Sequence, residues 1–385
     1  MKPGVYLDIS NEDYHGGDGI NKGLLDVVAR SAMHARAILD AANDNDREPT
    51  AAMVIGTALH TLVLEPENFA DIYVGELTQA DVPDAIDDRD TLVAMVEELN
   101  ADRLPKLPTG GTKDEQVARI IGALGEMRMG TDADALAEMK GADLKAFIER
   151  LNADRPGHLP TGGNMDALAA ILGENGRPVT LWKDVRSRWR AENEGYTVLS
   201  PDDLAQLHAM RDAIRAHPAA SALLSGDGMA EASVYWTDPA TGELCRCRPD
   251  WWRKDGIVVD LKTTIDASPE GFAKSLANYR YHVQAPWYLA GTSAAYESGH
   301  LPDDWQAPRA FAFIAVEKAA PYAVAVYMLD TASLEVGAAQ MRADLDTLAE
   351  CRRTGVWPGY GDKIKALSLP DWYLRQKAEA LGVAE

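Results

Sequence analysis

The stretch "RPDWWRKDGIVVDLKTT" sets Asp250 ten residues ahead of Asp260 and places Lys262 two residues further on, with aliphatic residues leading into the second acid. In an extended strand, successive side chains alternate between faces, so Asp260 and Lys262 share one face and Val259 and Leu261 the other. If the two strands are neighbours, Asp250 and Asp260 converge near one end of a sheet. Two carboxylates about 4 Å apart repel by roughly 4 kcal/mol at an effective dielectric of 20, so such a pair shares a proton or holds a cation. Oxygen ligands suit a hard divalent ion such as Mg²⁺, with Mn²⁺ able to substitute. Lys262, close to that ion, would position or help deprotonate an attacking water and stabilise charge on a phosphate oxygen. The competing reading of an isolated D-x-K is a surface hairpin closed by a cross-strand salt bridge.

Three further features favour the site. Glu231, in "MAEASVYW", begins the preceding strand and is expected on the same face as Ser233 and Tyr235. Gln284 and Tyr288, at i and i+4 in "QAPWY", share a helix face just after the strand pair. His60 stands in the apolar helical stretch "MVIGTALHTLVLEPE", and a neutral imidazole is a good metal ligand.

The elements that must position these groups alternate in type. Helical patterns at about 22–40, 51–65, 183–194 and 201–217 precede a strand-rich stretch at 230–262. A helical run at about 269–293, strands at 309–317 and 322–329 and a long helix at 331–354 follow. Strands bracketed by helices predict an α/β fold, a mixed sheet covered on both sides.

An internal repeat interrupts that pattern. "LNADRLPKLPTGG" at 99–111 recurs as "LNADRPGHLPTGG" at 151–163, an offset of 52. Each copy reads as helix, extended Pro-Thr-Gly-Gly loop, helix, so the expected division is 1–75, an inserted all-α segment at 76–183 with copies at about 85–125 and 137–177, and 184–385. Lys113 and Arg119 at the start of the second helix of the first copy are candidates for phosphate contact. The second copy has Asn164 and Met165 there, and the acidic flank "DVPDAIDDRD" suits a docking role instead.

The 385-residue chain has a formal charge of −22, which argues against a protein that coats polyanions along its whole surface. The window 241–290 is spared, with seven basic residues against six acidic, and Arg246 and Arg248 are its candidates for DNA contact. The three cysteines, Cys245, Cys247 and Cys351, form no C-x-x-C pair, so no disulfide framework, zinc site or iron–sulfur cluster is expected. Cys245 and Cys247 are expected to pack on one strand face. Without a membrane-length apolar run or a signal-peptide pattern, the expected location is the cytoplasm.

Taken in order, His60, Glu231, Pro249-Asp250, Asp260-Leu261-Lys262 and Gln284-x-x-x-Tyr288 resemble the PD-(D/E)xK nuclease superfamily, in its His-bearing, Q-x-x-x-Y branch. The segments "GVYLDISNEDYH", "GTALHTLVLEPENF", "RCRPDWW", "VVDLKTT" and "YHVQAPWYLAG" resemble the RecE-type exodeoxyribonuclease VIII nuclease domain. The repeats resemble helix–extended loop–helix units of the SAP kind. The resemblance implies a restriction-endonuclease-like core and an Mg²⁺-dependent exonuclease that degrades one strand of linear double-stranded DNA from its 5′ end. It further implies a single-strand annealing partner in a phage or prophage setting and a ring-like homo-oligomer. On that resemblance Asp250, Asp260, the Leu261 carbonyl and His60 hold the metal, Lys262 handles the water, Glu231 supports the metal or its water, and Gln284 and Tyr288 orient substrate. Asn21 and Gly23 stand where relatives tend to carry serines. The alternatives are a single-strand or structure-specific nuclease of the Cas4 or AddB kind, and a non-catalytic DNA-end-binding scaffold.

Overall fold

A computed structural model describes residues 1–41 and 50–374. It divides into two compact units: Met1–Tyr73 together with the chain from Leu199 onward, and Val74–Val198. Among the described residues the strands are β1 (Gly4–Tyr6), β2 (Tyr73–Gly75), β3 (Thr197–Leu199), β4 (Gly228–Ala230), β5 (Ser233–Thr237), β6 (Leu244–Cys247), β7 (Trp251–Arg253), β8 (Ile257–Thr264), β9 (Ala310–Glu317) and β10 (Val324–Met328).

The first unit is a mixed α/β body. Its main sheet has the order β10-β9-β8-β7-β4, and a smaller sheet has the order β1-β5-β6. β8 and β9 run parallel and every other pair in the main sheet is antiparallel. The two parallel strands read as nearly continuous apolar runs because both of their faces are covered. Val258, Phe311 and Phe313 enter the core on one face, and Val259, Leu261 and Ile314 the core on the other. Val258, Val259, Leu261, Phe313 and Ile314 are at most 1% exposed, each burial stabilising by about 1.5–3 kcal/mol. This two-sided anchoring fixes the strand that carries Asp260 and Lys262.

Two runs expected as continuous helices are broken. Residues 22–40 form Lys22–Arg30 and Ala32–Asp40, parted at Ser31, which is extended. Residues 269–293 form Pro269–Asn278 and Tyr281–Glu297, parted at Arg280, whose φ of 53° is left-handed. The guanidinium of Arg280 bridges Asp26 at 3.1 Å and Asp344 at 2.5 Å, which holds the backbone in that unfavourable region.

The second unit is all helical apart from its ends, and it extends past residue 183. Leu181 bridges to Ile86, Lys183 pairs with Asp166 and Arg186 with Glu76, so the helix Trp182–Glu192 belongs to this body. Its two copies do not form separate two-helix bodies. The helix Arg89–Ala101 packs on Met165–Glu174, and Lys113–Glu126 packs on Gly141–Leu151, so each core combines one copy's first helix with the other copy's second. Pro105, Pro108, Pro156 and Pro160 lie in the two linking loops, and proline's restricted backbone keeps such loops extended and carries the second helix away from the first.

The crossing is held by matched hydrogen bonds. The Asn100 side chain accepts from the backbone N–H of Leu159 at 2.6 Å and donates to its carbonyl at 3.0 Å. Asn152, fifty-two positions on, does the same to Leu107 at 2.8 and 2.9 Å. Arg103 donates to the Gly157 carbonyl, and its counterpart Arg155 to that of Pro105.

Candidate active site

Asp250 sits where the chain leaves one sheet for the other. β6 ends at Cys247 in the smaller sheet and β7 starts at Trp251 in the main one, so Pro249-Asp250 is a crossover and not a continuous strand. The pairing of Trp251 with Val259 draws Asp250 alongside β8. There its Oδ2 accepts the backbone N–H of Leu261 at 2.6 Å.

Glu231 lies outside any strand, a correction to its expected place on the face of Ser233 and Tyr235. It occupies the bend between β4 and β5 with φ of 46°, a strained conformation for a residue with a Cβ, and its N–H donates to the Asp250 carbonyl at 3.1 Å. The bend brings its carboxylate to 3.7 Å from His60 Nδ1, and Asp250 Oδ2 lies 3.6 Å from the same nitrogen. His60 arrives from the helix Ala51–Leu64, and its Nε2 meets the Leu261 carbonyl at 2.9 Å. Burial opposes charge on this imidazole, but the carboxylates of Asp250 and Glu231 outweigh it and raise its pKa to about 9.

Asp260 is 1% exposed. Gln284 donates to its Oδ1 at 2.5 Å, and Lys262 forms an ion pair with its Oδ2 at 2.7 Å, although that oxygen accepts no aligned hydrogen bond. Burial pushes its carboxyl up to about 6, with Lys262 opposing and Asp250 adding to the rise. Asp250 is shifted upward too, first by burial, with His60 opposing and Glu231 adding. Burial disfavours the Lys262 ammonium, yet the two aspartates hold it firmly protonated. In this ion-free arrangement Lys262 offers a positive charge and hydrogen-bond donors beside the aspartates. Tyr288 packs edge-on to Phe311 at 5.9 Å; burial, with nearby Tyr14, Asp260 and Asp250, keeps its hydroxyl protonated.

The donor set fits a hard divalent ion. One ligand atom each from His60, Glu231 and Asp250 lies within 4.8 Å of the others. The buried Asp260 Oδ2 without an aligned donor is a further acceptor nearby. Three carboxylates facing Lys262 are balanced once a divalent charge joins them and His60 gives up its proton. Glu231 groups with His60 and Asp250, while Asp260 contacts Gln284 and Lys262, and the Leu261 carbonyl meets His60.

The four candidate DNA contacts fare differently. Arg246 is buried, and its guanidinium donates to the carbonyls of Tyr14 and His15. Arg248 is buried as well, donating to Ser233 Oγ and the Ile9 carbonyl, with its guanidinium 4.1 Å from the centre of the Tyr14 ring. Both are corrected to structural residues that clamp the N-terminal segment. Arg119, partly exposed, donates through Nη1 to the carbonyls of Pro108 and Gly110 in its own loop. Lys113 is exposed at the first turn of its helix, which Thr112 and Glu115 cap reciprocally.

Cys245 and Cys247 are buried in the core. Sequence reasoning missed Lys22 and Tyr281 near the site: the ammonium groups of Lys22 and Lys262 stand 5.8 and 5.1 Å from the Tyr281 ring centre. The close run of aromatic and basic residues in "NYRYH" was the available signal.

Residues 182–370 match the family model described as a PDDEXK-like domain of unknown function (DUF3799). No curated protein matches the sequence. Among solved structures, a chain from Eubacterium rectale described as "Putative exonuclease" aligns at 12% identity and a TM-score of 0.33, covering 60% of this chain and 85% of that one. No helix among the described residues is long and apolar enough to cross a membrane.

Proposed function

We propose that this protein is a metal-dependent exodeoxyribonuclease that hydrolyses linear double-stranded DNA from the 5′ end and leaves 3′ single-stranded tails. The observation that carries this reading is the convergence of His60, Glu231 and Asp250 beside the Asp260–Lys262 pair. A bound Mg²⁺ supplies charge neutralisation at the phosphate and lowers the pKa of water. The residues do the rest. His60, Glu231 and Asp250 hold the ion. Gln284 fixes Asp260, Asp260 fixes the ammonium of Lys262, and Lys262 presents its hydrogens where negative charge builds on a phosphoryl oxygen. The strands produced suit a single-strand annealing partner, and a closed homo-oligomer would retain the duplex between cuts.

Linear duplex labelled at either the 5′ or the 3′ end, incubated with Mg²⁺, tests the reading. The 5′ label is expected to be released first, and Lys262→Ala is expected to release none. Hydrolysis persisting in both Lys262→Ala and Asp260→Ala overturns the assignment.

A further inference from the structure

Gln284, which holds Asp260, stands one helical turn after the left-handed bend at Arg280, and the two residues are joined directly. The N–H of Gln284 donates to the Arg280 carbonyl at 3.3 Å, and that of Val283 donates to the same carbonyl at 3.0 Å. No side chain caps this helix start. The direction in which Tyr281–Glu297 sets out therefore depends on the backbone of Arg280.

That backbone is held by charges from two other helices. The Arg280 guanidinium reaches Asp26 in Lys22–Arg30 at 3.1 Å and Asp344 in Thr331–Thr354 at 2.5 Å. The other carboxylate oxygen of Asp26 pairs with Lys22 at 2.7 Å, and Lys22 donates to the Tyr279 carbonyl at 2.6 Å, so one aspartate steadies both residues of the bend. Gly337 shares a helix with Asp344, and a Cβ there would meet the His282 carbonyl at 1.8 Å, so this helix also presses on the first turn. A φ of 53° is open to glycine without penalty and unfavourable for arginine. Two acids keep a residue with a Cβ in that region, and the side chain that depends on it lies in the site.

We infer that Arg280 is a positioning residue: its two ion pairs hold the bend that aims Gln284 at Asp260, and through Asp260 the ammonium of Lys262. The inference rests on the nuclease reading for the rate it predicts, while the geometry is read without turnover.

Two measurements on the full chain test it. The side-chain amide hydrogens of Gln284 are identified in NMR spectra by their loss in Gln284→Glu. They are expected to exchange slowly with solvent in the wild type, about tenfold faster in Arg280→Ala, and near the wild-type rate in Arg280→Gly, because glycine keeps the bend without the ion pairs. On linear duplex in Mg²⁺, kcat is expected to follow the same order, with Arg280→Ala about tenfold slower at unchanged KM. Adding Arg280→Ala to Gln284→Ala is expected to cause no further loss. Asp344→Asn keeps Arg280 and removes one anchoring charge, so it is expected to move both readouts toward those of Arg280→Ala by a smaller factor, and it carries the test if Arg280→Ala does not fold. Wild-type protection of Gln284 in both Arg280→Ala and Asp344→Asn overturns the assignment. So does a loss in Arg280→Gly as large as that in Arg280→Ala, or an undiminished effect of Arg280→Ala on the Gln284→Ala background. Absence of hydrolysis on every DNA, with the order of exchange rates intact, would instead reject the nuclease reading and support the positioning role.

Discussion

The asparagines at the crossing of the inserted unit and the acids at the site of the α/β unit are arranged in opposite ways. In the inserted unit, Asn100 and Asn152 each satisfy both backbone groups of the leucine they face, and Arg103 and Arg155 each hold a carbonyl across the repeat. In the α/β unit, Asp250, Asp260, Glu231 and His60 crowd together, Glu231 sits in a strained bend, and one buried carboxylate oxygen lacks an aligned donor. The same chemistry thus serves closure in one body and readiness in the other. Polar groups that complete each other make a scaffold, whereas polar groups left in excess of one sign await a ligand.

The largest test of this contrast falls on the charged cluster. Lys262→Ala is expected to lower hydrolysis roughly 10³-fold or more, measured as nucleotide released from linear duplex, while circular dichroism stays unchanged. An Asn152→Ala protein, by contrast, should cleave normally.

Divalent-ion affinity gives the next effect. The His60 pKa of about 9 means that ion binding at neutral pH must displace its proton. Calorimetric affinity is expected to rise about tenfold per pH unit through neutrality and to level off above pH 9. In the ion-free protein the sign reverses. His60 has a folded pKa above its ordinary value of 6.5, so its stabilisation is full below pH 6.5 and is lost as pH rises through 9. A pH-independent ion affinity would show that His60 is not a ligand.

Asn152→Ala should leave the N–H and carbonyl of Leu107 without partners and destabilise the inserted unit by about 2 kcal/mol, read from its denaturant unfolding transition. Asn100→Ala should match it, given the symmetry. Smallest is Arg119→Ala, which is expected to leave the salt dependence of DNA binding unchanged because its Nη1 holds the carbonyls of Pro108 and Gly110 and its charge lies beside Glu115. Lys113→Ala, if that exposed lysine meets a phosphate, would make the slope of log K against log salt shallower by about 0.9.

How far the sequence could be read follows from the physics of each element. The Asp260–Lys262 strand was legible because period-two alternation is local and its aliphatic neighbours demand two-sided burial. The positions of His60, Gln284 and Tyr288 were readable from helical spacing together with the family resemblance. Glu231 was misplaced because a left-handed bend at a glutamate leaves no compositional mark. Arg246 and Arg248 looked like free cations because nothing local reveals that the backbone near residues 9–15 will cap them. The crossed repeats were hidden for a sharper reason. Two near-identical copies encode the same helix contacts within and between themselves, so only the reach of the proline-containing loops decides which pairing forms.

One consequence concerns the order of synthesis. His60 and the Leu261 carbonyl that it contacts are separated by 201 positions. At translation rates of about 5–20 residues per second, His60 waits on the order of 10–40 s for that partner to be made. Residues 74–198 emerge within that interval, and their hydrophobic clusters and crossed hydrogen bonds are drawn from that segment alone. A ribosome carrying the nascent chain therefore bears a finished helical body well before it bears the complete cluster of His60, Glu231, Asp250 and Asp260, and a chain truncated before β8 has none.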